Sequence, residues 1–200
     1  MTRARGRPPA SEAPDTRERI VAAAVELFAD KGFHGTGVAE IGAAADVQRG
    51  ALYYHIRSKE ELLWEILRDY VAELLTAAES TVATDLDPAA KLRRLVREHT
   101  LLIGRLQRQV AIQLRDGSAL TGERGQQLQH MRDRVQRLWQ QVLDDGHAQG
   151  QFASSDHIVT NSLLSMANMV AFWYRPDGPK TLEEIADVLA NLVFDGLIRK

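Results

Sequence analysis

The sequence predicts an all-α protein of about nine helices, a small three-helix unit followed by a larger helical unit. Three observations carry this. Apolar residues recur at three- and four-residue spacing along most of the chain, as in Ile20, Ala24, Leu27 and Phe28. Helix boundaries are marked by caps and glycines, of which Ser58 followed by Glu61 is the clearest. A length of 200 residues fits one small domain plus one medium domain.

Composition narrows the class. Hydrophobic content of 44% and charged content of 26% are those of an ordinary globular chain. The chain has no cysteine, which excludes a disulfide framework or thiolate metal site and agrees with a reducing cytoplasm. No apolar run approaches the ~18 residues of a membrane span, so no membrane partner is expected. The opening MTRARGRPPASEAPD is basic but has no apolar segment behind it, unlike a secretory signal. Charge is unevenly spread. Residues 1–59 hold nine Lys/Arg against seven Asp/Glu, and the remainder holds sixteen against twenty. A basic end on an acidic body suits a chain that meets a polyanion with one end.

Residues 1–14, with Arg3, Arg5, Arg7 and three prolines, cannot bury enough apolar area to fold. They read as a basic disordered arm, either a solvated tail or a segment reaching into a minor groove. Helix one spans about Asp15 to Lys31, with Asp15 or Thr16 as its cap and Gly32 as a left-handed stop. Thr36 is a cap or near-cap for helix two, about Val38 to Ala45, where a hydroxyl and free amides make an anion site. Asp46 and Val47 form a turn, and Val47 plugs the gap between helices. Helix three carries Gln48, Arg49, Gly50, Ala51, Leu52, Tyr53, Tyr54 and His55. Leu52 must face inward, and Ile56 closes the small core. Gly50 within a helix costs roughly 1 kcal/mol relative to alanine, which suggests close approach of the backbone to something. Ser58 and Glu61 form a capping box for helix four. Lys59 in that first turn opposes the helix dipole, which makes better sense beside a phosphate.

This surface suits a DNA groove. Arg49 can donate to a guanine edge or a phosphate, while Tyr53, Tyr54 and His55 can reach phosphates or thymine methyls. The two tyrosines also fit core packing. The run GFHGTGVAEIGAAADVQRGALYYHIRSKEELL resembles the DNA-binding end of the TetR family of bacterial transcription regulators. The G-x-x-x-T element and the L-Y-Y-H-x-x-S-K-E-E-L ending fall in register over about residues 15 to 65. Ile56 departs from the family's usual phenylalanine. The resemblance implies a helix-turn-helix DNA-binding domain over 15–59 and a ligand-binding and dimerisation domain over 60–200. It places Thr36, Arg49, Gly50, Tyr53, Tyr54, His55 and Lys59 at the DNA, a double-stranded palindromic operator, and Gln48 at the start of helix three is a further candidate.

Helix four continues to about Thr81 and leaves the small domain for the large one, as a lever would. Pro88 opens helix five. Val110, Ile112 and Leu114 mark a short sixth helix. RDGSALTGERG, residues 115–125, reads as a flexible loop, a gate or a plain connector. Helix seven covers about Glu123 to Gly146, helix eight about Asp156 to Tyr174, and helix nine about Thr181 to Ile198. Helix eight is apolar nearly all round, so one face is left for a partner. Helices eight and nine of two chains fit a homodimeric four-helix interface through Leu163, Val170, Tyr174, Ile185, Leu189 and Leu192.

Trp64, His99, Met131, Trp139, Met166, Phe172, Trp173 and Arg175 are candidates for a pocket wall, though Met and Trp at helical spacing also simply fill space. WYRPDGP, residues 173–179, resembles an element of TetR-type regulators of lipid and steroid-side-product catabolism, whose effectors are acyl-coenzyme A thioesters. It also reads as a rigid turn. The implied function is a repressor released from its operator by a hydrophobic or acyl-CoA-like effector. The alternative is an all-helical lipid or acyl-ligand carrier without gene regulation. No enzyme is expected, since there is no nucleophile elbow, phosphate loop or H-E-x-x-H. No metal or cofactor is expected either, because His130, His147 and His157 lack ligand spacing.

Overall fold

The computed structural model describes residues 15–197, so the basic arm expected over 1–14 lies outside them. Within them the fold is all-helical: α1 (Thr16–Lys31), α2 (Val38–Ala44), α3 (Arg49–His55), α4 (Lys59–Val82), α5 (Pro88–Arg105), α6 (Gln107–Asp116), α7 (Gly122–Ala148), α8 (His157–Asn168), α9 (Val170–Trp173) and α10 (Leu182–Leu197). The expected helix eight is broken at Met169 into α8 and α9.

α1, α2 and α3 form a compact head. Ile20, Ala24 and Phe28 of α1 meet Ile41 of α2, Leu52 of α3 and Ile56 just beyond it, and all six are buried. α2 and α3 approach closely because position 42 is glycine. A Cβ there would stand 2.9 Å from Leu52 Cδ2 and 3.3 Å from the Val47 carbonyl oxygen. The turn between them is made by Asp46 at φ 52°, a left-handed conformation that aspartate tolerates better than most residues. Val47 packs against the core as expected. Gly32 ends α1 differently from the expected cap. Its φ of 83° is positive, but ψ of 156° carries the chain outward in an extended, essentially glycine-only conformation.

α4 links head and body. Its 24 residues span ~36 Å at 1.5 Å per residue. Its buried face runs from Leu62 and Leu63 at the head to Tyr70, Val71 and Leu74 deep in the body. There α4 packs against α5 and α7, and α10 lies along α5. The indole of Trp139 on α7 is fully buried in this core.

The loop expected over 115–125 is shorter than its three glycines suggest. Arg115 and Asp116 end α6 instead, with the Arg115 side chain bonded to α1 and the Asp116 carboxylate to the Phe33 N–H just beyond it, and a single 3-10 turn over Gly117–Ala119 leads into α7. α7 likewise runs through Gly146, where it was expected to stop. The helix needs glycine there for a packing reason. The fully buried Phe152 ring folds back so closely that a Cβ would sit 2.1 Å from its Cε2.

That contact makes Gly146→Ala a core-overpacking substitution. It is expected to cost about 1–3 kcal/mol in chemical denaturation. An unchanged midpoint would mean that Phe152 has room to move and would reject this account of the α7 end.

Candidate nucleic-acid interface and ligand cavity

One residue orients α3. Leu52 is 1% exposed and points into the head, so its helical neighbours point out. Gln48, Arg49 and Gly50 are exposed, and His55 is half-buried. Tyr53 and Tyr54 are 54% and 86% exposed, which removes the core-packing alternative for both rings. The Arg49 guanidinium lies 6.0 Å from the Tyr53 ring centre, and the Tyr54 and His55 rings meet edge to face at 5.2 Å. The result is one continuous surface of N–H and O–H donors on aromatic bodies. Arg57, exposed at the α3–α4 turn, extends it and was not singled out from the sequence. Gly50 lies in the first turn of α3 rather than mid-helix, and a Cβ there would meet nothing within 4 Å. No packing among the described residues requires that glycine.

Two expected contact residues have internal partners instead. Thr36 is only 2% exposed and donates its hydroxyl to the Gly32 carbonyl at 2.8 Å. The N-cap of α2 is Gly37, which offers no side chain. Thr36 therefore acts as a strut under the head rather than as an anion-binding cap. The Lys59 ammonium donates to the carbonyls of Phe33 at 2.9 Å and Thr36 at 3.1 Å, and rides over the Phe33 ring at 4.6 Å. These acceptors account for the first-turn cation without any outside phosphate. Arg17 on α1, a position without any sequence signature, pins the far end of α3. It donates to the His55 carbonyl and pairs with Glu65 of α4.

In the body, α4, α5, α6, α7 and α8 line a cavity of about 270 Å³ that opens to the surface. Tyr70, Val71, Leu74, Val110 and Val135 form its apolar part. His99, Gln113, Gln136, Asn161 and Asn168 give it polar walls, with Arg132 and Asp133 also on its lining. Burial raises the Tyr70 phenol pKa above its ordinary value, against an opposing pull from Arg132, so the phenol stays neutral. His99 is buried, and its Nε2 lies 2.9 Å from Asn168 Oδ1. Burial pushes its pKa down to about 4, against the opposing effect of that hydrogen bond. The imidazole is therefore neutral near pH 7 and donates to Asn168.

Of the eight expected pocket residues, only His99 lines this cavity. Trp139 stands behind it, edge-on to the His99 ring at 5.4 Å. Trp64, Met131 and Met166 are partly buried fillers of the core. Phe172 and Trp173 are 55% and 51% exposed, and Arg175 is also exposed. The amides and Tyr70 were missed because a search for large apolar side chains finds what fills space rather than what borders it. WYRPDGP holds a rigid exit from α9. Gln107 of α6 donates to the Ala171 and Tyr174 carbonyls at 3.0 Å each, and Gly178 N–H donates to the Arg175 carbonyl.

The outer surface of α8, α9 and α10 is apolar, with Met169, Phe172, Trp173, Val188 and Leu192 each about half exposed or more. Among the expected interface residues, Leu192 is displayed there and Tyr174 and Leu189 are half-buried. Leu163, Val170 and Ile185 are buried within their own chain and cannot meet a partner directly. With apolar residues nearly all round the helix, the sequence did not distinguish the inner face from the outer.

Comparison with known proteins finds similarity in both the head and the body. A family model described as bacterial regulatory proteins, tetR family, matches residues 20–66, and one for the tetracyclin repressor-like C-terminal domain matches 85–197. The HTH-type transcriptional repressor KstR2 of Rhodococcus jostii (strain RHA1) is 33% identical over 184 residues, covering 90% of each chain. The structure of the ketosteroid transcriptional regulator KstR2 of Mycobacterium tuberculosis aligns with a TM-score of 0.87 at 25% identity, over 96% of this chain and 99% of the other. The crystal structure of AibR in complex with isovaleryl coenzyme A and operator DNA aligns with a TM-score of 0.80 at 28% identity, over 90% and 98%.

The buried His99 carries a pH signature. The unfolded chain takes up its proton below about 6.5, but the folded chain resists down to about 4, so stability held above pH 6.5 is lost as pH falls through that window. Between pH 7 and pH 5 the loss is about 2 kcal/mol. It should be absent from His99→Gln when the two unfolding curves are compared at both pH values. Parallel losses in the two proteins would assign the effect to other groups.

Proposed function

The chain belongs to the TetR family of bacterial regulatory proteins, and we propose that it is a ligand-responsive repressor that binds a palindromic operator as a homodimer. It is a transcriptional regulator and not an enzyme. The observation that carries the proposal is the outward display of Arg49, Tyr53, Tyr54 and His55 around the single buried Leu52. In this reading residues 15–59 bind DNA and 60–200 bind ligand and dimerise, with the work done in the cytoplasm.

α3 enters the major groove. Arg49 donates to a guanine edge or a phosphate, Gln48 stands beside it, and the phenols and His55 contact phosphates and thymine methyls. The open space over Gly50 lets the backbone approach the duplex more closely than a side chain would permit. Thr36 and Lys59 serve from behind, holding the turn that carries α2. The apolar face of α8, α9 and α10 supports pairing with a second copy about a twofold axis, so that two α3 helices lie about one helical turn, roughly 34 Å, apart.

The relatives and the cavity together support an effector class. AibR is described bound to isovaleryl coenzyme A, and KstR2 of Mycobacterium tuberculosis as a ketosteroid regulator. We assign an acyl-CoA-type effector, with a compact acyl group in the cavity of about 270 Å³ and the bulky nucleotide portion outside it. His99 and the amides of Gln113, Asn161 and Asn168 supply hydrogen-bonding groups for the thioester end.

An operator selected from a random duplex pool provides the test. Arg49→Ala and Tyr54→Ala together should lower its affinity at least about 30-fold, at roughly 1–3 kcal/mol for each base or phosphate contact. Thermal stability should stay within about 0.5 kcal/mol, because both side chains are exposed. Unchanged specific binding would reject α3 as the reading helix. Native mass spectrometry should report a dimer for the wild type and a monomer for Trp173→Glu with Leu192→Glu. A dimer that survives both charges would reject this interface.

A further inference from the structure

α6 has two faces with different business. One face, through Val110 and Gln113, forms part of the cavity wall. The other grips the head. Arg108 pairs with Glu26 at 2.8 Å and Asp30 at 3.0 Å on the exposed side of α1. Directly after Leu114, which also lines the cavity, Arg115 donates to the carbonyls of Ala29 and Phe28 in the last turn of α1, where the Phe28 carbonyl also accepts from the Gly32 N–H. Asp116 follows. It is a carboxylate only 6% exposed, and its Oδ2 accepts from the Phe33 N–H at 3.1 Å and from Arg115 Nε at 3.1 Å. The Phe33 N–H lies just past the outward swing at Gly32 and has no place in the α1 hydrogen-bond ladder. The end of α1 is therefore capped from another domain, by the helix that borders the cavity.

We propose that Arg115 and Asp116 are positioning residues for operator binding: they set the α1–α2 turn, and with it α3, from the cavity wall. The inference rests on reading the cavity as the effector site. A ligand that displaces α6 thereby reaches the head directly, alongside any movement of α4. A buried carboxylate suits this task. Its bond to the Phe33 amide, at 3.1 Å, is directional and shielded from water, so a small shift of α6 breaks it rather than bending it. The cation–carbonyl contacts of Lys59 hold the same turn from α4, so the head retains its fold when the α6 contact opens.

The test uses full-length protein, hydrogen exchange at the Phe33 amide, and affinity for the selected operator. Asp116→Ala should speed that exchange at least tenfold and weaken operator binding about tenfold, while amides of the head core around Leu52 keep their protection. Asp116→Asn, which retains an acceptor oxygen, should restore most of both. If Asp116→Ala fails to fold, Arg115→Ala serves, since that side chain is 44% exposed and its loss leaves no cavity. A folded Asp116→Ala or Arg115→Ala protein with wild-type operator affinity overturns the proposal.

Val110→Phe separates this inference from the reading beneath it by filling part of the cavity without any ligand. It should weaken operator binding in the wild-type background and add little once Asp116 is alanine. Equal weakening in both backgrounds would route the signal elsewhere and overturn the clip. No effect in either background would remove the cavity as an effector site, while the Asp116→Ala result still decides the positioning role.

Discussion

The backbone groups left over where α1 ends are the constraint on which the molecule depends. A helix leaves four carbonyls unpaired at its C-terminus, and the chain beyond this one must turn sharply to begin α2. Gly32 makes the turn at φ 83°, and every element around it supplies a partner. Thr36 takes the Gly32 carbonyl from within the turn. Lys59 takes the Phe33 and Thr36 carbonyls from α4, Arg115 takes those of Phe28 and Ala29, and Asp116 takes the Phe33 amide. These six polar bonds, spread over residues 28–36, thus join the head to both α4 and α6.

The exposed surface of α3 is a consequence of that framework. A seven-residue helix has little stability of its own. Its direction is set by Leu52 pressing against Gly42 and by Arg17 holding the His55 carbonyl. With those fixed, the remaining side chains have nowhere to go but outward, which is why 86% exposure of a tyrosine is tolerated. An apolar ring displayed so fully is costly in isolation and sensible only beside a partner. The same holds for Phe172 and Trp173 at the opposite end. The protein therefore displays rings on two surfaces that its own packing does not cover, joined through a body whose cavity is half polar.

Much of this was legible from the chain alone, and the failures have a common cause. The head was readable because its signals are local: a cap at Ser58, a glycine at 32, one leucine among polar neighbours in α3. Thr36 and Lys59 were located correctly but given an external partner, because a hydroxyl at a helix start and a lysine in a first turn look alike whether the acceptor is a phosphate or a carbonyl of the same chain. Arg115 and Asp116 were read as loop because RDG sits ahead of two more glycines. Their bonds run to residues more than eighty positions away. The pocket suffered most, since Met131, Trp139 and Met166 advertise themselves by size, while Gln113, Asn161 and Asn168 have no pattern at all.

The sequence by itself determined the all-helical class, the place of α3 and the family to which the chain belongs. Those depend on spacing and caps within a few turns of helix. Tertiary structure alone decided which face of the nearly all-apolar helix eight is inside, which polar groups border the cavity, and which helix caps the end of α1. These are matters of which distant residues meet, and periodicity records the face a residue lies on without recording what stands opposite.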